Sequence, residues 1–459
     1  MMREPAFSLL PTPAPMALKD QRVLVLGLGD TGLSVARWVE REGGKARVAD
    51  TRAAPPGLKN FHGEFHGGAF QDSLLEGVGL VCTSPGLPVA EPLIQKAIQK
   101  RIPVAGDIEL FAWHVRAKTA SRVIAVTGTN GKITVAALAG HLLRAAGIDC
   151  EVAGNIGPAA LFALAKRKDS GTLPAVWVLE LSSYQLETTW SLKPNAAALL
   201  NLSEDHLDRY SGIADYAAAK ARIFLGSGEQ VLNRDDPRVL AMRHPGRRAV
   251  TFGLDAPPGE DDFGVLEDGL ALGSKIVLEK SALPIHGSHN LANALAACAL
   301  ARSAGVAFQE LGPGLRSFKG LPHRLELVAT LKGVDWYDDS KGTNVGATVA
   351  ALKGLGKKSV LILGGEGKGQ DFSPLREPVQ KFASHVLLIG RDAPVIEKAL
   401  AGLAVERFAT LEEAVKRASK VARSGDAVLL SPACASFDMF RDYKHRGEVF
   451  AAAVKGLGS

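Results

Sequence analysis

The stretch RVIAVTGTNGKITVAALAGHLLRAAG, Arg122 to Gly147, decides how this chain is read. It opens on the β-branched apolar run Val123 to Val126, which reads as a buried strand. A turn punctuated by Gly128 and Gly131 follows. An Ala/Leu-rich segment from Ile133 to Ala146 then reads as a helix, stopped by Gly147. Strand, glycine turn and helix, with Lys132 at the helix start, is the pattern of a phosphate cradle. Amide N–H groups at a helix N-terminus face an anion, glycines let the backbone come close, and the lysine reaches the outer phosphates. The pattern here is the short G-x-x-G-K. The longer phosphate-loop pattern needs a glycine where Val126 stands and a hydroxyl where Ile133 stands. An ordinary strand-to-helix turn is the plainer alternative.

The rest of the composition suits such a domain and its neighbours. A chain of 459 residues implies two to four domains. With 46% hydrophobic and 22% charged residues it can bury large cores. A net charge of +6 fits anionic substrates and is too diffuse to argue for nucleic acid. The four cysteines, Cys82, Cys150, Cys298 and Cys434, show no metal spacing and read as reduced, buried thiols of a cytoplasmic protein. No apolar run is long enough to insert into a membrane. The proline-rich stretch Met1 to Met16 lacks a signal-peptide core, and residues 1–19 are expected to be a disordered tail.

Upstream of the phosphate loop, Val23 to Leu26 reads as a strand. Gly27-Leu28-Gly29-Asp30-Thr31-Gly32 reads as a G-x-G-x-x-G turn, Leu33 to Arg41 as a helix, and Lys45 to Ala49 as a second strand ending at Asp50-Thr51. That arrangement fits a dinucleotide site with Asp50 on a ribose, another phosphorylated ligand, or plain helix packing. Val78 to Cys82 reads as a strand followed by Thr83-Ser84-Pro85-Gly86, at the sheet edge where ligands of open α/β folds sit. A polar linker at Ala117 to Ser121 ends this unit.

Downstream, Gly154-Asn155-Ile156-Gly157 is a second glycine loop. Val176 to Leu179 reads as a strand leading into Glu180-Leu181-Ser182-Ser183-Tyr184-Gln185. Glu180 is either a Mg²⁺ ligand or the cap of the next helix. Ala196 to Leu200 reads as a strand before Asn201-Leu202-Ser203-Glu204-Asp205-His206-Leu207-Asp208-Arg209-Tyr210, where His206 binds metal or simply serves a surface loop. Tyr216 to Phe224 reads as a helix, on which Lys220 would ordinarily be solvated. Asp255 to Asp268 reads as an acidic hairpin loop, and Asn290 and Asn293 open an alanine-rich helix. After a boundary near Gly320 to Arg324, strands at Val334–Tyr337, Ser359–Leu363, His385–Ile389, Glu406–Phe408 and Ala427–Leu430 read as a third α/β sheet. Three of them end in polar turns: Asp338 to Asn344, Gly364 to Gly369 and Ser431 to Ser436.

Taken in order, LGLGDTG, DTR, TSPG, GTNGK, GNIG, LELSSYQLE, SEDHLDRY, the Lys220 helix, HNLAN, LPHR, DDSKGTN, GGEGKGQDF and SPACAS resemble the Mur ligase family, and most of all its glutamate-adding members. The resemblance spans nearly the whole chain. It implies an α/β protein of three domains: a Rossmann-like uridine-substrate domain (20–118), a P-loop-type ATPase domain (119–320) and a Rossmann-like glutamate domain (321–459). It implies a monomeric ATP- and Mg²⁺-dependent ligase that adds D-glutamate to UDP-N-acetylmuramoyl-L-alanine through an acyl phosphate, in peptidoglycan precursor synthesis. By position, Gly128, Thr129, Asn130, Gly131, Lys132, Ile133, Thr134, Asn155, Asn290, Asn293, Arg324 and Asp339 would hold ATP. Glu180, His206 and Lys220 would hold the metal, with Lys220 carbamylated, and Lys132, His206 and Lys220 would carry the catalysis. Asp30, Thr31, Asp50, Thr51 and Ser84 would hold the uridine nucleotide, and Thr343, Lys368, Ser436 and Tyr443 the glutamate. Ile133 departs from the family pattern, and Tyr443 stands where Phe is common. A folylpolyglutamate-synthetase-like ligase, a nicotinamide dehydrogenase and a binding protein without catalysis are the alternatives.

Overall fold

Strands buried on both faces need near-continuous apolar runs, and parallel sheets covered by helices are built of such strands. The computed structural model, which describes residues 11–206, 209–285 and 287–457, places the apolar runs in three sheets. The first comprises β1 (Arg22–Leu26), β2 (Lys45–Asp50), β3 (Glu64–Gly67), β4 (Leu80–Thr83) and β5 (Val104–Ala105). Its order is β3-β2-β1-β4-β5, all parallel. The order reverses at β1, so the crevice between the loops after β1 and β4 is its ligand edge.

The second sheet comprises β6 (Arg122–Thr127), β7 (Cys150–Gly154), β8 (Val176–Glu180), β9 (Ala196–Leu199), β10 (Glu229–Asn233), β11 (Ala249–Phe252), β12 (Phe263–Leu266), β13 (Gly269–Leu272) and β14 (Lys275–Glu279). Its order is β14-β13-β12-β11-β10-β9-β6-β8-β7. The acidic segment Asp255 to Asp268, expected as a hairpin loop, ends in one arm of a hairpin. Phe263 to Leu266 pairs antiparallel with β13, because Phe263 is buried and anchors the strand despite its acidic flanks. The third sheet comprises β15 (Glu326–Leu331), β16 (Val334–Asp338), β17 (Ser359–Gly364), β18 (Ala383–Ile389), β19 (Val405–Arg407) and β20 (Ala427–Leu430). Its order is β15-β16-β20-β17-β18-β19, with β15 antiparallel to β16.

Contacts group the described residues into two compact units. One holds the first sheet and nearly all of the second, to Val277, together with Ala294–Gly314; the other holds Leu278–Asn293 and Leu315 onward. Within the first unit the two sheet regions share one core, in which Phe111 meets Trp177 edge-on at 5.1 Å. Leu18 belongs to that core. The Glu109 carboxylate accepts from the Trp190 and Ser191 amides at 2.6 and 2.8 Å and from Trp113 Nε1 at 2.8 Å. Of the tail expected over 1–19, residues 1–10 lie outside the described residues. No helix among the described residues is long and apolar enough to cross a membrane.

Candidate active site

The second sheet sets Glu180 between two loops. β8 lies between β6 and β7, and Glu180 at its end is in register with Val126 on one side and Gly154 on the other. The loop after β6 carries GTNGK and the loop after β7 carries GNIG. Glu180 is fully buried, and neither carboxylate oxygen has a hydrogen-bond partner among the described residues. A helix cap is not its role. The Ser183–Glu187 helix is capped by Ser182, which exchanges bonds with Gln185 in a capping box. A buried carboxylate left unsatisfied is costly unless a cation or donor meets it.

The phosphate loop is tightly made. Gly131 is left-handed, with φ of +85°, and begins the Lys132–Ala145 helix, so a side chain there would be strained. Asn201, after β9, pins the loop: its Oδ1 accepts from the Asn130 amide at 2.8 Å, and its carbonyl accepts from the Thr129 amide at 2.9 Å. Lys132 Nζ folds over the loop and donates to the Gly128 and Thr129 carbonyls at 2.9 and 2.8 Å. Ile133 is half-buried and Thr134 buried. Asn155 is exposed, and its amide donates to the Glu180 carbonyl at 2.8 Å.

Lys220 departs from the ordinary expectation for a helical lysine. It is 1% exposed on the Ile213–Ala221 helix. Its Nζ donates to the Gly128 carbonyl at 2.8 Å and lies 4.5 Å from the centre of the Tyr216 ring. Burial, reinforced by the Lys132 charge, pushes its pKa well below the ordinary lysine value, while Glu180 and Asp205 oppose the shift. His206 is partly exposed, in a left-handed conformation with φ of +56°, and its Nδ1 lies 2.7 Å from the Tyr184 hydroxyl. Leu207 and Asp208 of the same motif lie outside the described residues. Glu180, Lys220 and the phosphate loop are thus brought together at one sheet edge. A buried carboxylate with no hydrogen-bond partner among the described residues, beside a lysine whose ammonium form is disfavoured, fits a hard divalent cation, the lysine only if converted to a carboxylate-like ligand.

In the first sheet, Asp50 is buried and committed. It accepts from the Leu28 amide at 2.7 Å, inside the glycine turn, and pairs with Arg52 at 2.7 Å. The Arg52 guanidinium holds its carboxyl down at about 2. Ser84 Oγ donates to the Gly27 carbonyl at 3.1 Å, so the loop after β4 adjoins that turn. Asp30 and Thr51 are exposed and Thr31 half-buried at the same edge.

In the third sheet, β20 lies between β16 and β17, which places the three polar turns side by side. Asp339 accepts from Ser431 Oγ at 2.7 Å. Burial of its carboxyl raises its pKa, and the Arg324 charge opposes the rise. Asn290 and Asn293 are buried and bonded to each other at 3.0 Å. Thr343 is half-buried, its amide donating to the Lys341 carbonyl at 2.8 Å. Lys368 is exposed and left-handed at φ +52°, 5.9 Å from the ring centre of Phe437, the neighbour of buried Ser436. Lys341 Nζ lies 4.0 Å from the ring centre of Tyr443.

Three family models match the chain in order: the Mur ligase MurD-like N-terminal domain over 21–106, the Mur ligase middle domain over 126–301, and the Mur ligase glutamate ligase domain over 323–434. The chain belongs to the Mur ligase family. It is 54% identical to a UDP-N-acetylmuramoylalanine–D-glutamate ligase of Nitrosospira multiformis, covering 96% of this chain and 97% of that one. To the enzyme of the same name from Thiobacillus denitrificans it is 53% identical, covering 97% and 98%. Solved structures share the fold. UDP-N-acetylmuramate-alanine ligase MurC of Thermotoga maritima superposes with a TM-score of 0.60 at 18% identity, covering 95% of this chain and 99% of that one. MurF of Acinetobacter baumannii superposes with a TM-score of 0.61 at 19% identity, covering 97% and 93%.

This Mur ligase chain also holds residues that sequence reasoning passed over. Arg446 is completely buried, yet its bonds all go to neutral oxygens: Ser340 Oγ at 3.0 Å, Ser340 O at 2.8 Å and Cys434 O at 3.1 Å. It ties the turn after β16 to the turn after β20, and burial lowers its pKa to about 10. An arginine in an amphipathic helix carries no local signal of this. Asn201 was legible only as one polar residue after a strand.

Proposed function

We propose that this chain is an ATP-dependent ligase that joins D-glutamate to UDP-N-acetylmuramoyl-L-alanine. The observation that carries the reading is Glu180, buried between the two glycine loops of a Mur ligase fold with no hydrogen-bond partner among the described residues. The glutamate specificity is supported by relatives of that name at about half identity over nearly full length.

A carboxylate is a poor electrophile, so its oxygen first attacks the γ-phosphorus of ATP and ADP leaves. The glutamate amine then attacks the acyl carbon of the acyl phosphate. The tetrahedral adduct expels phosphate, and the amine gives up its proton. Phosphoryl transfer of this kind needs positioning and positive charge more than a protein nucleophile. Lys132, folded on the loop carbonyls, turns to the β- and γ-phosphates, while Gly128 to Thr134 supply the cradle. Glu180, His206 and a carbamylated Lys220 hold Mg²⁺, which neutralises phosphate charge when bound. Asn155 serves the γ-phosphate end. Asn290, Asn293, Arg324 and Asp339 serve the nucleoside and its phosphates. Residues 20–118 take the uridine nucleotide through Asp30, Thr31, Thr51 and Ser84, with Asp50 and Arg52 ordering the turn. Residues 119–320 carry the nucleotide chemistry. Residues 321–459 take glutamate, with Lys368 meeting a carboxylate and Thr343, Ser436 and Tyr443 lining the site. The enzyme works as a cytoplasmic monomer, where ATP and nucleotide-linked sugars are supplied and its four buried cysteines remain thiols.

The test is an ADP-release and product assay with UDP-N-acetylmuramoyl-L-alanine and each glutamate enantiomer. ADP and an amide product are expected with D-glutamate and not with L-glutamate. Turnover only with a folate and L-glutamate, or none without NAD, overturns the assignment.

A further inference from the structure

His206 is held more firmly than a surface loop requires. Its left-handed backbone, φ +56°, is sparsely populated for a non-glycine residue and persists only when the surroundings over-determine it. Two amides, of Arg209 and Tyr210, donate to its carbonyl at 2.9 and 3.1 Å. Its ring lies 4.8 Å from that of Tyr184, and its Nδ1 meets the Tyr184 hydroxyl at 2.7 Å.

Tyr184 is itself clamped. The Arg209 guanidinium lies 4.3 Å from the centre of its ring. That guanidinium forks onto Glu187, with Nη2 to Oε2 at 2.6 Å and Nε to Oε1 at 3.2 Å, and donates through Nη1 to the Pro85 carbonyl at 3.0 Å. Both members of the ion pair are under 10% exposed. Glu187 also accepts from the Tyr210 hydroxyl at 2.6 Å. The Tyr184 ring is therefore fixed between His206 and a buried ion pair that reaches the loop after β4.

An imidazole that ligates a metal through one nitrogen normally donates from the other, and that second bond sets its tautomer and orientation. We infer that Tyr184 is a positioning residue for His206. Its phenol oxygen accepts the Nδ1 proton, which makes Nε2, 3.8 Å from the Asp205 carboxylate, the ligating nitrogen. Arg209 keeps the phenol in place. This rests on the reading of His206 as a metal ligand given above.

The experiment uses the full chain and Mn²⁺ in the presence of ADP, followed by electron spin resonance without turnover, together with ¹⁵N spectra of the histidine rings. His206→Ala identifies the His206 signals and tests its ligand role. Tyr184→Phe removes the hydroxyl alone. The native His206 should carry its proton on Nδ1. The phenylalanine variant should lose that preference and bind Mn²⁺ about ten-fold more weakly, with its thermal midpoint little changed. Its kcat should recover at saturating metal. Arg209→Lys keeps a charge against Glu187 but cannot stack as a plane, and it should weaken Mn²⁺ binding in the same direction by less. Unchanged tautomer and Mn²⁺ affinity in Tyr184→Phe, or a loss of kcat that no metal concentration restores, overturns the inference alone. Unchanged Mn²⁺ affinity in His206→Ala overturns the metal reading and the inference together.

Discussion

Lys220 Nζ donates to the carbonyl of Gly128 at 2.8 Å, and Lys132 Nζ reaches the same carbonyl at 2.9 Å. Burial disfavours the charge on Lys220, and the repulsion of two ammonium groups on one oxygen adds to it. A lowered pKa favours the neutral amine, the form that reacts with carbon dioxide. The carbamate formed would bring carboxylate-like oxygens near Glu180 as a metal ligand, in place of the second of the two ammonium groups.

Lys220→Ala should therefore lose most activity and regain part of it with short carboxylic acids. Lys220→Met should separate function from stability. The folded pKa lies below the ordinary lysine value of about 10.4, so the unfolded chain binds this proton more tightly and the native state is penalised at neutral pH. The penalty fades only as pH rises toward the ordinary value. The methionine variant should thus melt higher than the native chain at neutral pH while remaining inactive. Full activity in the alanine variant would return Lys220 to a packing role.

Glu180 makes the complementary prediction. Its oxygens find no hydrogen-bond donor among the described residues, so Mg²⁺ should raise the melting temperature of the native chain. Glu180→Gln should melt higher than the native chain without Mg²⁺, gain nothing from adding it, and lose about 100-fold or more in kcat, because several kcal/mol of charge stabilisation pass through such a metal. An undiminished Mg²⁺ shift in the variant would place the ion elsewhere.

The Asp50 carboxyl, held at about 2 mainly by Arg52, contributes stability above the ordinary carboxylate range that is lost as pH falls from about 4 toward 2. Arg52 is half-exposed, so screening reduces the effect, and Asp50→Asn should cost about 1–2 kcal/mol at neutral pH by urea denaturation. The same variant should bind UDP-N-acetylmuramoyl-L-alanine more weakly, because a neutral amide with one acceptor oxygen cannot hold the Leu28 amide and the Arg52 guanidinium together. The uridine substrate should protect the native chain against heat and NAD should not. Protection by NAD alone would contradict the uridine role.

Ile133 stands where a hydroxyl usually reaches Mg²⁺, and Thr134 is a poor substitute, since one helical step turns a side chain about 100° and this threonine is buried. Magnesium keeps water readily, so a water can take the position. Ile133→Thr should raise kcat/KM for ATP and lower the Mg²⁺ requirement, by an amount on the order of 1–3 kcal/mol. Mg²⁺ titrations of the two forms decide it: no gain at limiting metal means that the site does not use that oxygen.

Sequence periodicity and turn chemistry by themselves determined β1, β2, β4, β6, β8, β9 and β16 to β20, the helix after the phosphate loop and the polar turns at the ends of strands, while β3, β5, β7 and β10 to β15 carried no such signal. These are local matters: an apolar run, a glycine that must be left-handed as Gly131 is, an ordered series of motifs. The state of each side chain was decided elsewhere. Lys220 sits on a helix whose sequence reads as solvated, and it is buried because β6 and the helix bring it onto the Gly128 carbonyl, 92 residues away. Glu180 offered two readings, and Ser182's capping box removed one of them. Arg446 looks like any helical arginine until two turns from distant strands close around it. Desolvation, pairing and the loss of water depend on neighbours remote in the chain, and only the tertiary structure sets those.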